Sequence, residues 1–194
     1  MRVHPLLFSI CMLVVGLIAA PVANAQGTGG AGFSTASSKR KAVSSQAAGV
    51  AVFPGAPATI GEDGLAVPPA GAPGQVVAAI EAANRIVGKP YKWGGGHAKV
   101  QDSGYDCSGT VSYALIRAGL LTAPMVSGTF ARWGSAGAGR WTAIYANKGH
   151  VYMEVAGLRL DTSAVGDPIG GNGVRWRPLI GKRRGFHVRH VTGL

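Results

Sequence analysis

Acidic residues are scarce in this chain. Eight Asp and Glu stand against 19 Lys and Arg in 194 residues, a formal net charge of +11. Such a balance predicts attraction to anionic surfaces. Cysteine is scarcer still, with two residues, Cys11 and Cys107. That count excludes a disulfide framework and any zinc site built on cysteine pairs. No HExxH sequence occurs, and Gly94-Gly95-Gly96 lacks the Gly-Lys-Ser/Thr that would complete a phosphate-binding loop. Neither a metal nor an organic cofactor is therefore expected. Aromatics make up 7% of the chain and are not interleaved with its basic clusters, Lys39-Arg40-Lys41 and Lys182-Arg183-Arg184. Single-strand nucleic-acid binders need that interleaving, so nucleic acid is not an expected partner.

No internal repeat is visible, and the one long apolar run is at the N-terminus. Met1-Arg2 is followed by a nearly wholly apolar Pro5 to Ala20, then by Ala23-Asn24-Ala25, an A-x-A cleavage pattern. Residues 1–25 read as a signal peptide. The alternative, a membrane anchor, needs a longer span than the run provides. The expected product is secreted, in a periplasm or cell wall, without stable membrane insertion after cleavage. Losing Arg2 leaves 18 basic and 8 acidic residues, a charge of +10. Anionic wall polymers and lipid headgroups fit that charge, as does a plain soluble basic surface.

Residues 26–73 are rich in Gly, Ala, Ser, Pro and Thr and read as a low-complexity linker or tail. Short apolar pieces such as Val50 to Phe53 could dock on the folded part. From Gly74 to Leu194 the composition suits one compact domain. Val76, Val77, Ile80, Ala83 and Val87 recur at helical spacing over Gln75 to Val87, before Gly88 and Pro90. A second helix is expected from Cys107 to Ala118, with Gly119 ending it. Val151, Met153 and Val155 alternate with His150, Tyr152 and Glu154. Ala156-Gly157 supplies a two-residue turn, and Leu158 to Thr162 alternates again. In that hairpin Val155 faces Leu158 and Glu154 faces Arg159, a cross-strand charge pair. Phe186, Val188 and His190 form a last alternating run. Helices first and antiparallel strands second give an α+β class.

Once the leader is removed, Cys107 is the only thiol. It is inert, paired with another molecule, or chemically useful. A buried structural cysteine would not usually have such polar, glycine-bearing flanks. Helix N-termini carry partial positive charge, which favours a thiolate. Ser108, Gly109 and Thr110 are small enough to let a substrate approach. Among His97, His150, His187 and His190, the best base is His150, at the start of a strand. His97 follows three glycines on a loop, while His187 and His190 point to opposite faces of a strand. The hairpin register puts Asp161 opposite Tyr152, diagonal to His150 on the same face and within side-chain reach. There a carboxylate would fix the ring tautomer. A one-residue slip would send it to the other face.

Tyr91-Lys92-Trp93-Gly94-Gly95, Asp106-Cys107-Ser108-Gly109-Thr110-Val111 and Gly149-His150-Val151 resemble the NlpC family of papain-like cell-wall cysteine endopeptidases, over about residues 74–194. The resemblance implies a papain-like fold, with N-terminal helices packed on an antiparallel sheet and the nucleophilic cysteine opening a helix. It implies hydrolysis of amide bonds in peptidoglycan stem peptides, usually between γ-D-glutamate and diaminopimelate or lysine. By position Cys107 is then the nucleophile, His150 the base and Asp161 the third polar residue, where many members have His, Asn or Gln. Tyr91, Ser108 and Gly109 fall where substrate contacts are expected. Peptidoglycan is the implied partner, no cofactor is needed, and the chain is expected to act as a monomer. Two other readings remain: a non-enzymatic wall-binding protein of the same fold, and a papain-like amidase or acyltransferase acting on another exported amide.

Overall fold

A computed structural model describes residues 55–167, 169–181 and 184–194. The signal expected over residues 1–25, the first part of the linker expected over 26–73 and the basic cluster at Lys39 lie outside the described residues, as do Lys182 and Arg183 of the second cluster. Among the described residues, no helix is long and apolar enough to cross a membrane.

The chain enters through a two-stranded hairpin, β1 (Thr59–Ile60) and β2 (Ala66–Val67). Ala58 and Ala66 are buried, and Ala58 N–H donates to the Ala156 carbonyl at 2.8 Å. Part of the segment upstream of Gly74 is therefore packed on the domain, although its composition reads as a linker. The small side chains that make it look unstructured are the ones that fit against the β5–β6 turn and the end of α1.

Helix α1 (Gly74–Asn84) buries Val76, Ala79, Ile80 and Ala83. It stops three residues before the expected Val87: Arg85 and Ile86 donate to the carbonyls three residues back, a tighter turn that carries the chain to Gly88, and the Asn84 side chain anchors this end of the helix. Its amide exchanges two 2.9 Å hydrogen bonds with the Ala66 backbone and accepts from Trp176 Nε1 at 2.7 Å. Helix α2 (Cys107–Arg117) matches the expected span to one residue and turns Val111, Ala114 and Leu115 into the core. A short helix, α3 (Ser127–Phe130), follows and buries Phe130.

Six strands complete the molecule: β3 (Ser135–Ala136), β4 (Thr142–Ala146), β5 (Val151–Val155), β6 (Leu158–Asp161), β7 (Arg175–Arg177) and β8 (His187–His190). They form one antiparallel sheet in the order β3-β8-β4-β5-β6-β7. The class is α+β, with α1 and α2 packed together and α2 lying across β5 and β6. Strand β4 gave no alternating signal because all five of its residues are buried.

The β5–β6 hairpin has the expected register, Val155 with Leu158 and Glu154 with Arg159. Its turn residues Ala156 and Gly157 have φ of 47° and 89°, the mirror-image turn that matches strand twist. The charge pair differs from the expected one. Arg159 is fully buried and directs Nη1 to Asp161 at 3.0 Å, so Glu154 receives its charge but not that hydrogen bond. Both positions face a covered side of the sheet, where a guanidinium needs a close carboxylate.

Candidate active site

Cys107 is the first residue of α2, and Asp106 is its N-cap. The Asp106 carboxylate organises this end of the helix. Oδ1 accepts from the Gly109 N–H at 2.7 Å and the Ser108 hydroxyl at 3.0 Å, and lies 3.1 Å from His97 Nε2. Oδ2 accepts from the Gly94 N–H at 3.1 Å. A single side chain thus satisfies an orphan helix donor and ties the glycine loop to the helix start.

The glycines are needed because three backbones meet there. A Cβ on Gly109 would fall on the Gly95 carbonyl, and one on Gly95 would fall on the Gly104 carbonyl. Lys92 braces the same loop through a 2.6 Å ion pair with Asp102, which holds that carboxyl below its usual range. Tyr91 bridges to Tyr105 in the parallel sense, next to the helix N-cap. The Tyr91 phenol is raised above its ordinary pKa, first by partial burial and then by Cys107 and Asp106.

His150 immediately precedes β5, at the end of the sheet where β6 finishes. Nε2 lies 2.9 Å from Asp161 Oδ1, as the register requires. Asp161 Oδ1 also accepts from the Ser163 N–H at 2.9 Å, and Oδ2 takes Arg159 Nη1. The His150 ring packs edge-on to Phe186, with centroids 6.4 Å apart, and at 6.4 Å from the Tyr152 ring. Burial disfavours its charge, but the hydrogen bond to Asp161 and the interaction with the Cys107 thiol outweigh that, and its pKa stands at about 9. With Nε2 given to Asp161, Nδ1 is the nitrogen left for the sulfur. Cys107 itself is half-buried, within a substrate's reach.

The structure brings Cys107, His150, Asp161 and Tyr91 together. Ser108 and Gly109 are buried behind the sulfur, in the N-cap network rather than on the open surface. Tyr91 and His150 share a hollow of about 190 Å³ with Thr162, Ser163 and Asn172. Three participants were not singled out from the sequence. Asp106 is an N-cap, legible from its position before an apolar-periodic run. Arg159 was read as Glu154's partner, and its reach to Asp161 two residues along the strand had no separate signal. His97 was noted only as loop-borne. Among the described residues, no three His, Cys, Asp or Glu side chains converge as metal ligands.

No protein-family model and no curated protein matches this chain. Among solved structures, it is similar to the peptidoglycan hydrolase RipB from Mycobacterium tuberculosis. Identity is 27% and the TM-score 0.49, over 66% of this chain and 70% of that one. It is also similar to RipD from the same organism, at 20% identity and a TM-score of 0.44, over 62% of this chain and 99% of that one. RipD is described as a non-catalytic NlpC/p60 domain protein adapted to peptidoglycan binding.

Proposed function

We propose that this chain is an exported papain-like cysteine peptidase that hydrolyses amide bonds in peptidoglycan stem peptides. One observation carries the reading: His150 is held by Asp161 at one ring nitrogen and interacts with the Cys107 thiol, at the start of a helix. A structural histidine needs no such sulfur partner, and an inert cysteine has no reason to lie beside an imidazole that carries a proton at neutral pH.

Each residue then has a step. The Cys107 sulfur attacks the amide carbonyl as a thiolate, its charge balanced by the imidazolium of His150. Backbone N–H groups at the start of α2, that of Cys107 among them, face the developing oxyanion. His150 gives its proton to the departing amine, and the acyl group stays on Cys107 as a thioester. His150, now neutral, takes a proton from water, the resulting hydroxide releases the acid, and the resting pair is restored. Asp161 keeps the ring oriented and stabilises its charge throughout. Tyr91 borders the sulfur and contacts the acyl part of the substrate. Ser108 supports this machinery from the N-cap network.

The substrate class follows from the motif resemblance and from the basic balance of the chain, which would hold it on an anionic wall. The test is digestion of purified sacculi by the wild type and by Cys107→Ala, with mass spectrometry of the released fragments. The wild type should release peptides newly cut within the stem, and the variant none. Equal release would remove the enzyme reading. Binding of sacculi by both proteins without cleavage by either would make the chain a wall-binding protein instead.

A further inference from the structure

A second, larger hollow of about 760 Å³ opens at the same end of the sheet. Along that end lie in turn His187 of β8, the Asn147-Lys148-Gly149 turn between β4 and β5, His150, and Thr162-Ser163 after β6. The small hollow with Tyr91 is on the β6 side of His150. The large one is on the β8 side, walled by α3 and by the turn that leads into His150. His150 therefore stands between the two.

The charge of the larger hollow is one-sided. Arg132, Lys148 and His187 line it, and none of the chain's eight carboxylates does. The side chains of Arg132 and Lys148 are exposed, and among the described residues neither is in an ion pair. The walls are built before any ligand arrives. Asn147 Oδ1 accepts from the N–H groups of Gly149 and His150, both at 2.9 Å, and the Ser127 hydroxyl donates to the Lys148 carbonyl at 3.2 Å. The turn is thereby fixed to α3, and two cations face the same open space.

We infer that this hollow is a subsite for the part of the substrate released as the amine, and that Arg132 and Lys148 bind a carboxylate on the side chain of that residue. The inference rests on the reading of His150 as the proton donor. With the acyl part against Tyr91 in the small hollow on the β6 side, the amine that takes the proton of His150 leaves toward the β8 side. A carboxylate there meets two uncompensated cations and no like charge, and offsets the ammonium beside it, whereas a side chain that carries an ammonium alone meets only repulsion. Arg132 and Lys148 are then specificity residues that select a diaminopimelate-type residue over lysine.

The experiment uses the full chain and two synthetic γ-D-glutamyl peptides. The residue after the scissile bond ends in a free carboxylate in one and in the matching carboxamide in the other. The wild type should cleave the carboxylate peptide with kcat/KM about tenfold higher, mainly through KM, and the ratio should fall toward one in R132Q/K148Q and at high salt. Equal rates in the wild type, or a preference that survives in the double variant, would overturn the assignment. Binding of the amine-side product to Cys107→Ala, followed by calorimetry, reads the subsite without turnover. Tighter binding of the carboxylate product than of the carboxamide supports it, and equal binding overturns it. If neither peptide is cut but that binding preference is present, the peptidase reading fails while the anion subsite stands. Inhibition by glycerol phosphate to the same extent with both peptides, with no carboxylate preference, would assign the cations to a phosphate-bearing wall polymer instead.

Discussion

Arg159 and His150 hold opposite oxygens of one buried carboxylate: Arg159 Nη1 lies 3.0 Å from Asp161 Oδ2, and His150 Nε2 lies 2.9 Å from Oδ1. Asp161 is 1% exposed and Arg159 fully buried. A carboxylate clamped from behind cannot turn away from the imidazole, so Arg159 is a positioning residue for His150. Removing one partner leaves a buried charge uncompensated. Arg159→Leu should therefore lose about 3–5 kcal/mol of stability in urea unfolding. Asp161→Asn keeps the shape but loses the charge that supports imidazolium. It also leaves the buried Arg159 without its carboxylate and should lose stability for that reason, while the folded fraction should show kcat lowered on the order of 10²-fold or more on a stem-peptide substrate. A variant with unaltered kcat would remove Asp161 from the site.

The raised pKa of His150 has a definite sign. The group is charged up to about pH 9 in the folded state, against 6.5 when exposed. Its contribution to stability is fully present below about pH 6.5 and is lost as pH rises through about 9. Denaturant unfolding of the wild type and His150→Gln at a series of pH values should show a gap that closes between those limits. Turnover should fall over the upper part of the same window, as the proton for the leaving amine is lost. A wild-type profile still flat at pH 10 would contradict this.

Glu154 predicts a second pH dependence on the same hairpin. Burial pushes its carboxyl up to about 7, against the opposing pull of the Tyr145 hydrogen bond and of Arg159. An acid whose pKa is raised on folding stabilises the fold below its unfolded value of 4.5, and that stability is lost as pH rises through about 7. Glu154→Gln mimics the neutral form. Its stability should change less than that of the wild type between pH 5 and pH 7.5. Parallel profiles would show that Glu154 is ionised and solvated at both pH values.

Asp106 joins the glycine loop to the helix that carries Cys107. Asp106→Ala removes the cap and frees Gly94, Ser108 and His97 at once, and should cost about 1–2 kcal/mol in thermal unfolding. Activity should fall by more than that loss of folded protein explains, because the Tyr91 loop is no longer tied to α2. Gly109→Ala forces a methyl group onto the Gly95 carbonyl and should cost about 1–3 kcal/mol through overpacking. Wild-type melting of Gly109→Ala would show that the loop and helix do not touch.

The site was largely legible because its parts have local signals. A cysteine opening an apolar-periodic run that ends at a glycine, a histidine opening an alternating strand and a two-residue turn fix the Cys107 helix and the diagonal of His150 and Asp161. Features set by long-range packing were not legible. β4 is covered on both faces and shows no alternation, and beyond α1 the Gly88 N–H is given to the Val174 carbonyl, far along the chain. The role of Arg159 depends on where a long side chain turns, which strand periodicity does not encode. The hairpin at residues 59–67 is built of residues whose composition is that of a linker.

The pairing of Cys107 with His150 is tested most directly by the rate at which iodoacetamide modifies Cys107, followed by the mass of the peptide that carries it. At pH 7 the wild type should be alkylated several-fold faster than His150→Gln, because the imidazolium supports the thiolate. Equal rates for the two proteins would show that the imidazole has no hold on the sulfur, and the proposed chemistry would have no basis.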